Sequence, residues 1–307
     1  MILVTGGAGF IGGNFVRMIA DQNPIVMDKL SYASNTEYIK NIGILECVDI
    51  GDGELLHKTF LKYRNAVDTI IHFAAETHVD RSIEYTNPFI DTNIKGTVNL
   101  LSMCKLYDVK KFIHISTDEV FGVIEQPNKF NENSPISPRN PYSASKAAAE
   151  HFVIAYGNTY NIPYIIVNMS NNYGPNQHNE KLIPKILDCI KNDIPIPVYG
   201  NGKQIRDWLY VEDSCRAIKT IMEKGVIGER YCIGGENELT NLEIINMIIK
   251  KTGATLDLIK HVKDRLGHDV RYAVNNDKIN TLGWKPTTSL SDGLDKTIDW
   301  YKNEGRI

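Results

Sequence analysis

Ile115-Ser116-Thr117-Asp118-Glu119-Val120-Phe121-Gly122 and, further on, Tyr142-Ser143-Ala144-Ser145-Lys146 supply a hydroxyl, two adjacent carboxyl groups, a phenol and an ammonium. That set can draw hydrogen from a sugar carbon and then expel a neighbouring hydroxyl as water. Tyr142 and Lys146 stand four residues apart, after Asn140-Pro141, a good N-cap and first helical position. Ala147-Ala148-Ala149-Glu150 then favours continuation of the helix. The pair therefore shares one helix face. A free tyrosine titrates near ~10. A neighbouring ammonium favours the phenolate, so Lys146 is expected to lower the Tyr142 pKa and make it a usable base. Thr117 can hydrogen-bond the hydroxyl that Tyr142 deprotonates. Asp118 and Glu119 read as a general acid and a general base on adjacent carbons, if their environments keep one protonated and the other ionised. The plainer reading is an acid-rich helix start favoured by the macrodipole.

These groups need a scaffold. Ile2–Val4, Pro24–Met27, Leu45–Val48, Thr69–Ala74, Lys111–Ser116 and Tyr164–Met169 are short apolar runs, nearly continuous, as parallel strands covered on both faces are. Helical stretches between several of them argue for βαβ units and an α/β fold with a doubly wound parallel sheet. Right-handed crossovers place the strand carboxyl ends on one edge. Gly6, Gly9 and Gly12, in Val4-Thr5-Gly6-Gly7-Ala8-Gly9-Phe10-Ile11-Gly12, lie between the first strand and the first helix. Gly6 permits the turn, Gly9 lets backbone approach a pyrophosphate, and Gly12 lets the helix lie close; Phe10 and Ile11 open that helix, whose free N–H groups suit phosphates. Asp28 ends the second strand and can accept from the adenosine ribose hydroxyls. It would repel a 2′-phosphate, which favours NAD over NADP. Lys29 follows it and weakens that preference. Asp49-Ile50, after the third strand, suits an adenine contact, or equally a surface turn.

The second half is rich in Asn, Pro, Gly and Tyr over 171–210, with a helical run from Lys181 to Asn192. Thr240-x-x-Glu243 predicts a capping box, and Leu290, Leu294, Ile298 and Tyr301 a last helix. We expect a Rossmann domain over 1–170 and a smaller α/β substrate domain over 171–307. A strand near 205–235, such as Trp208–Val211, is expected to return to the first. Composition is ordinary for a globular protein, with 42% hydrophobic and 23% charged residues. The net charge of −3 gives no bulk attraction to nucleic acid. No apolar run reaches membrane-spanning length, and the absence of a leader points to a cytoplasmic protein. Cys47, Cys104, Cys189, Cys215 and Cys232 are scattered without metal-ligand spacing, so reduced thiols and no metal site are expected.

The motifs together resemble the extended short-chain dehydrogenase/reductases, and among them the dTDP-glucose 4,6-dehydratases. The resemblance covers almost the whole chain. It rests on the glycine turn, Asp28-Lys29-Leu30-Ser31-Tyr32-Ala33, Ala74-Ala75-Glu76-Thr77-His78-Val79-Asp80-Arg81-Ser82, Ser116–Gly122 and Tyr142-x-x-x-Lys146. Further on it rests on Ser170-Asn171-Asn172-Tyr173-Gly174-Pro175, Glu180-Lys181-Leu182-Ile183-Pro184, Val198-Tyr199-Gly200-Asn201-Gly202 and Arg206-Asp207-Trp208. It implies bound NAD, contacted also by Ala74, Tyr142 and Lys146. The reaction implied is oxidation at C4 with Tyr142 as base, removal of the C5 proton by Glu119, protonation of the C6 hydroxyl by Asp118, and hydride return to C6. Ser82, Asn172, Lys181, Leu182, Pro197, Tyr199, Arg206, Asn241, Arg265 and His268 match positions around a nucleotide-sugar substrate. Arg206 and Arg265 suit its diphosphate.

The chain departs from the family pattern at four places: Asn168 for arginine, Leu266 for proline, Gly13 for serine and Ser34 for glycine. Competing readings are a UDP-sugar 4-epimerase, a UDP-glucuronate decarboxylase, and a non-catalytic NAD-sensing protein on the same scaffold. An epimerase needs no acid at C6, so Asp118 with Glu119 argues against it. Helices over Thr92–Tyr107 and Tyr142–Tyr160 carry apolar residues on more than one face, including Ile94, Val98, Leu101, Met103, Phe152, Val153 and Tyr156. A sheet covers one side only, and related enzymes pair these helices, so a homodimer is expected.

Overall fold

The computed structural model describes residues 1–64 and 66–305. Its strands in chain order are β1 (Ile2–Thr5), β2 (Ile25–Asp28), β3 (Ile44–Cys47), β4 (Thr69–His72), β5 (Lys111–Thr117), β6 (Tyr164–Met169), β7 (Asn171–Tyr173), β8 (Ile196–Tyr199), β9 (Ile205–Tyr210), β10 (Arg230–Ile233), β11 (Glu238–Thr240) and β12 (Ile259–Val262). Seven of them form one sheet in the order β10-β6-β5-β4-β1-β2-β3, and every pairing in it is parallel. The chain builds outward from β1 to β3, then reverses to β4 and continues to β10. That reversal opens a crevice at the carboxyl ends of β1 and β4, where a doubly wound sheet binds its ligands.

Successive strand residues feed opposite faces. Leu3, Ile70, Phe112 and Ile166 enter one core; Val4, Ile71, Ile113 and Ile165 enter the other. Both faces are covered, so no polar alternation survives in the strands. The covering helices include α1 (Phe10–Met18), α2 (Gly53–Lys62), α4 (Thr97–Leu106), α5 (Pro141–Tyr160) and α7 (Val211–Lys224), while α3 (Val79–Glu84) is a short turn of helix after β4. The helix expected over Thr92–Tyr107 begins instead as a π-helical segment, Ile90–Gly96, before α4. The wider turn tucks Asn93 inward, where its amide donates to the Glu76 carbonyl at 3.0 Å and to Ser145 Oγ at 2.8 Å. Asn140 and Ser143 form a capping box at the start of α5, with Pro141 in its first turn.

The second half has its own core. α6 (Leu182–Lys191), α8 (Asn241–Thr252) and α9 (Leu290–Asn303) pack Ile183, Ile186, Ile245, Ile248, Leu294 and Ile298 around Tyr173, Trp208 and Tyr210. The Thr240–Glu243 capping box is formed. The strand containing Trp208 does not return to the large sheet. β9 pairs with β7 and β11, because Trp208 and Tyr210 are needed in the second core. A strand of the 205–235 stretch does return to the large sheet, but it is β10, beside β6. It has four residues and starts with arginine, so it lacked the apolar signature of a strand. Among the described residues, no helix is long and apolar enough to cross a membrane.

Candidate active site

The carboxyl ends of β1, β2, β4, β5 and β6 border a cleft of about 300 Å³. Gly6, Gly9, Phe10, Ile11, Gly12, Asp28, Lys29, Asp49, Ile50 and Ala74 line it, as do Thr117, Asp118, Glu119, Tyr142 and Lys146. Gly6 has φ +67, and a side chain there would drive Cβ to 2.6 Å from the Ala74 nitrogen. At Gly12 a Cβ would strike the Gly6 carbonyl, so only glycine lets α1 start so close to β1. No side chain caps α1. Its first N–H groups are left for a ligand at the cleft.

Asp28 is held by three donors. Its Oδ2 accepts from Ala8 N at 3.0 Å, and its Oδ1 from Leu30 N at 2.8 Å and Ser34 Oγ at 2.9 Å. Ser34, a departure from the family pattern, thus has a defined partner. Lys29 turns away to Glu76, at 2.7 Å, and Thr92, at 3.3 Å. No cation is therefore committed to offsetting Asp28 against a 2′-phosphate. The hydroxyls of Ser116 and Ser170, both lining residues, are buried without a partner among the described residues, as is Asn171 Oδ1. Uncapped N–H groups, a glycine cradle and orphaned polar atoms fit a dinucleotide in this cleft.

The reactive groups hang from β5 and α5. Thr117 ends β5, and its hydroxyl accepts from Glu119 N at 3.2 Å, capping the 3₁₀ turn Asp118–Phe121. Asp118 is 1% exposed. Its Oδ1 lies 3.4 Å from the Thr117 hydroxyl, and its Oδ2 has no partner among the described residues. Burial, then the nearby Glu119 and Asp207, hold the Asp118 carboxyl well above its ordinary range. Glu119 is also raised by burial, but Arg206 and Lys181 pull against that rise. The two neighbours thus sit in different fields, with the proton favoured on Asp118.

Tyr142 corrects one expectation. Burial, Glu119 and Asp118 push its phenol up, opposed by its hydrogen bond with Thr117. Lys146 does not bring it down. The ammonium donates to the Ile115 carbonyl at 2.7 Å, and burial pushes its own pKa down to about 8. Spacing showed the two on one face; it could not show that both lie in a low-dielectric wall, which disfavours charge on either.

The remaining candidates divide. Asn172 and Lys181 line the cleft, and Lys181 Nζ donates to the Thr77 carbonyl at 2.8 Å. Tyr199, Arg265 and His268 do not line the cleft but form a cluster of their own: the Tyr199 and His268 rings meet edge to face, and Arg265 lies 5.3 Å over the Tyr199 ring. Arg265 forms a two-pronged ion pair with Asp80, at 2.5 and 2.9 Å. Arg206 donates to the Asp269 carbonyl at 3.0 Å and covers the Tyr272 ring at 4.4 Å. Asn241 donates its backbone N–H to Gln204, whose side chain reaches Asp264, the partner of His268. Leu182 opens α6 and Pro197 lies in β8; neither lines the cleft. Ser82 is fully buried behind Tyr142, accepting from its backbone N–H at 3.1 Å.

Three residues at the site were missed. Tyr272 donates to Asp269 and lies 3.4 Å from Glu119 Oε2. Asp80 holds Arg265, and Glu180 accepts from Tyr32 at 3.2 Å while lining the cleft. Arg271-Tyr272, close after His268, was the available signal, but the segment forms only isolated bridges and has no period to read. Of the other departures, Gly13 sits where a Cβ would press on Tyr38 and Asn176, and Asn168 enters a buried network taken up below. Leu266 is exposed, and nothing in the structure explains it.

The field on Asp118 has a stability consequence. A carboxyl raised above its ordinary 3.8 binds its proton more tightly folded than unfolded. Its contribution is therefore present below that unfolded value and is lost as pH rises toward the folded one. Asp118→Asn removes this loss while keeping the shape. At pH 7 its Tm is expected about 2–4 °C above the parent, the gap closing as the buffer approaches pH 4, while turnover falls by roughly 10²-fold or more. A Tm below the parent at pH 7 would contradict the burial cost.

Comparison with known proteins agrees with this geometry. The family model for GDP-mannose 4,6 dehydratase matches residues 3–297. A dTDP-glucose 4,6-dehydratase of Neisseria gonorrhoeae is 46% identical over 98% of this chain and 95% of its own length. A low-salt glycan biosynthesis protein of Haloferax volcanii is 44% identical over 98% of each chain. The crystal structure of DesIV, the dTDP-glucose 4,6-dehydratase of Streptomyces venezuelae with NAD bound, superposes with a TM-score of 0.94 at 40% identity, over 98% of this chain and 97% of DesIV. The UDP-glucose 4-epimerase of Thermus thermophilus reaches 0.92 at 27% identity, over 98% of each chain, so fold alone does not separate the two chemistries. Near-complete coverage by relatives at such identities, on a chain that carries the Asp118–Glu119 pair, makes it a member of the dTDP-glucose 4,6-dehydratase family within the extended short-chain dehydrogenase/reductases.

Proposed function

We propose that the chain is an NAD-dependent hydro-lyase that converts dTDP-glucose to dTDP-4-keto-6-deoxyglucose. The observation that carries this reading is the buried Asp118–Glu119 pair, two neighbouring carboxyls with different fields beside the Tyr142 phenol. A bound NAD would supply the reversible hydride chemistry that links oxidation at C4 to reduction at C6. The uncapped start of α1 and the Asp28 carboxylate would hold it, with Lys146 toward the nicotinamide ribose. Thr117 steadies the C4 hydroxyl and Tyr142 takes its proton. A ketone at C4 acidifies the C5 hydrogen, which Glu119 removes as a proton and later gives back to C5 as hydride reaches C6. Asp118, the carboxyl in the stronger raising field, donates to the C6 hydroxyl, which departs as water. Tyr272, within 3.4 Å of Glu119, keeps that carboxylate aimed.

Arg206, Lys181 and Asn172 suit the sugar-phosphate side, and Tyr199, Arg265 and His268 the outer end. A diphosphate there would compete with Asp80 for Arg265. The dinucleotide end of the cleft draws on residues before 170, and the second core lies after 171, which supports dividing the chain there. The five unpaired cysteines suit a reducing, cytoplasmic compartment. We also assign a homodimer through α4 and α5, supported by Leu106, Phe152 and Tyr160 exposed on those helices.

Incubation with dTDP-glucose is expected to give a product lighter by one water. Glu119→Gln and Tyr142→Phe should each lower kcat by roughly 10²–10⁴-fold. A 4-epimer of unchanged mass as sole product would overturn the assignment. Sedimentation equilibrium should give twice the chain mass; a monomer at working concentration would refute the dimer.

A further inference from the structure

Behind the catalytic wall lies a charged network that the mechanism above does not use. Glu150, on α5 one turn after Lys146, is fully buried. Arg230 of β10 pairs with Glu150 Oε2 at 2.7 Å and donates to Asn168 Oδ1 at 2.6 Å. The Asn168 amide donates to Glu150 Oε1 at 2.8 Å and to the Thr117 carbonyl at 2.9 Å. One connected set of bonds therefore joins the edge strand, the Lys146 helix and the end of β5, where Thr117 leads into Asp118.

We infer that Arg230, Glu150 and Asn168 are positioning residues for the dehydration, with Arg230 and Asn168 fixing the Glu150 side chain one turn from Lys146 while Asn168 also fixes the Thr117 backbone. The inference rests on the proposed function for its link to turnover. The groups facing Lys146 are few. His72 of β4 and His114 of β5 are both buried, and burial and the Lys146 charge keep them neutral. Tyr142 lies one turn before it on α5. Glu150 is the acid acting on it, and it opposes the burial that pushes Lys146 down to about 8. Arg230 in turn faces Glu150, Asn168 and His114, with Cys232 beside it on β10. Without Arg230, Glu150 Oε2 loses the partner that fixes its position one turn from Lys146, and its hold on the ammonium weakens.

The test compares Glu150→Gln, Arg230→Gln and Arg230→Lys in the NAD-loaded enzyme, reading kcat against pH with dTDP-glucose and, independently, the Lys146 pKa by NMR of ¹³C-lysine. Both glutamine variants are expected to move the alkaline limb of kcat down by about one pH unit, with KM changed less than about twofold. Arg230→Lys should leave the limb in place. Arg230 lies at the sheet edge, so its variants keep the test open if Glu150→Gln fails to fold. A lower Tm with an unmoved limb would reduce the network to a structural support and overturn the proposal. If the parent chain does not turn over dTDP-glucose, the proposed function fails. The NMR titration then still decides the network: a lowered Lys146 pKa in the glutamine variants supports it, and an unchanged one refutes it.

Discussion

Two carboxyl groups, side by side at the end of β5 and shut away from water, are the constraint around which this structure is organised. Burying one acid is costly, and burying its neighbour adds mutual repulsion. The chain manages this by dividing the pair. Arg206 and Lys181 oppose the rise at Glu119, whereas Asp118, which Arg206 also lowers, meets the raising fields of Glu119 and Asp207, and one of its oxygens has no partner among the described residues. The proton is favoured on the second over the first. That asymmetry is what the proposed division of labour between acid and base needs.

The fold supplies the wall. A parallel sheet covered on both faces brings the ends of β1, β4, β5 and β6 to one edge, and its reversal beside β1 leaves room for a dinucleotide. α5 crosses behind, presenting Tyr142 and Lys146 to the cleft and Glu150 to Asn168 and Arg230. The second core brings β9, and with it Arg206, against the acid pair. Closely superposing epimerases show that this scaffold serves more than one outcome. Function on a shared scaffold is set by the site and not by the fold.

Much of this was legible in the amino-acid order because it is local. Six strands, the glycine turn, the capping boxes and the one-face pairing of Tyr142 with Lys146 are each set by neighbours a few residues apart. The parts that escaped are assembled across the chain. β10 is short, begins with Arg230 and joins the sheet only through β6. Tyr272, Asp80 and Glu180 come from loops or a short helix and meet partners far away in sequence. The Tyr142 phenol moved opposite to expectation because burial outweighs a nearby ammonium, and burial is not written in spacing.

In the proposed reaction Asp118 and Glu119 remove water across C5 and C6 while the hydrogen taken from C4 is kept and redelivered. The most direct measurement follows that hydrogen: dTDP-glucose carrying deuterium at C4, turned over in ordinary water, with the product read by NMR. The account predicts deuterium in the C6 methyl group of a 4-keto sugar, and ordinary hydrogen at C5. Deuterium returned to C4 of an intact hexose, or washed out into solvent, would contradict it.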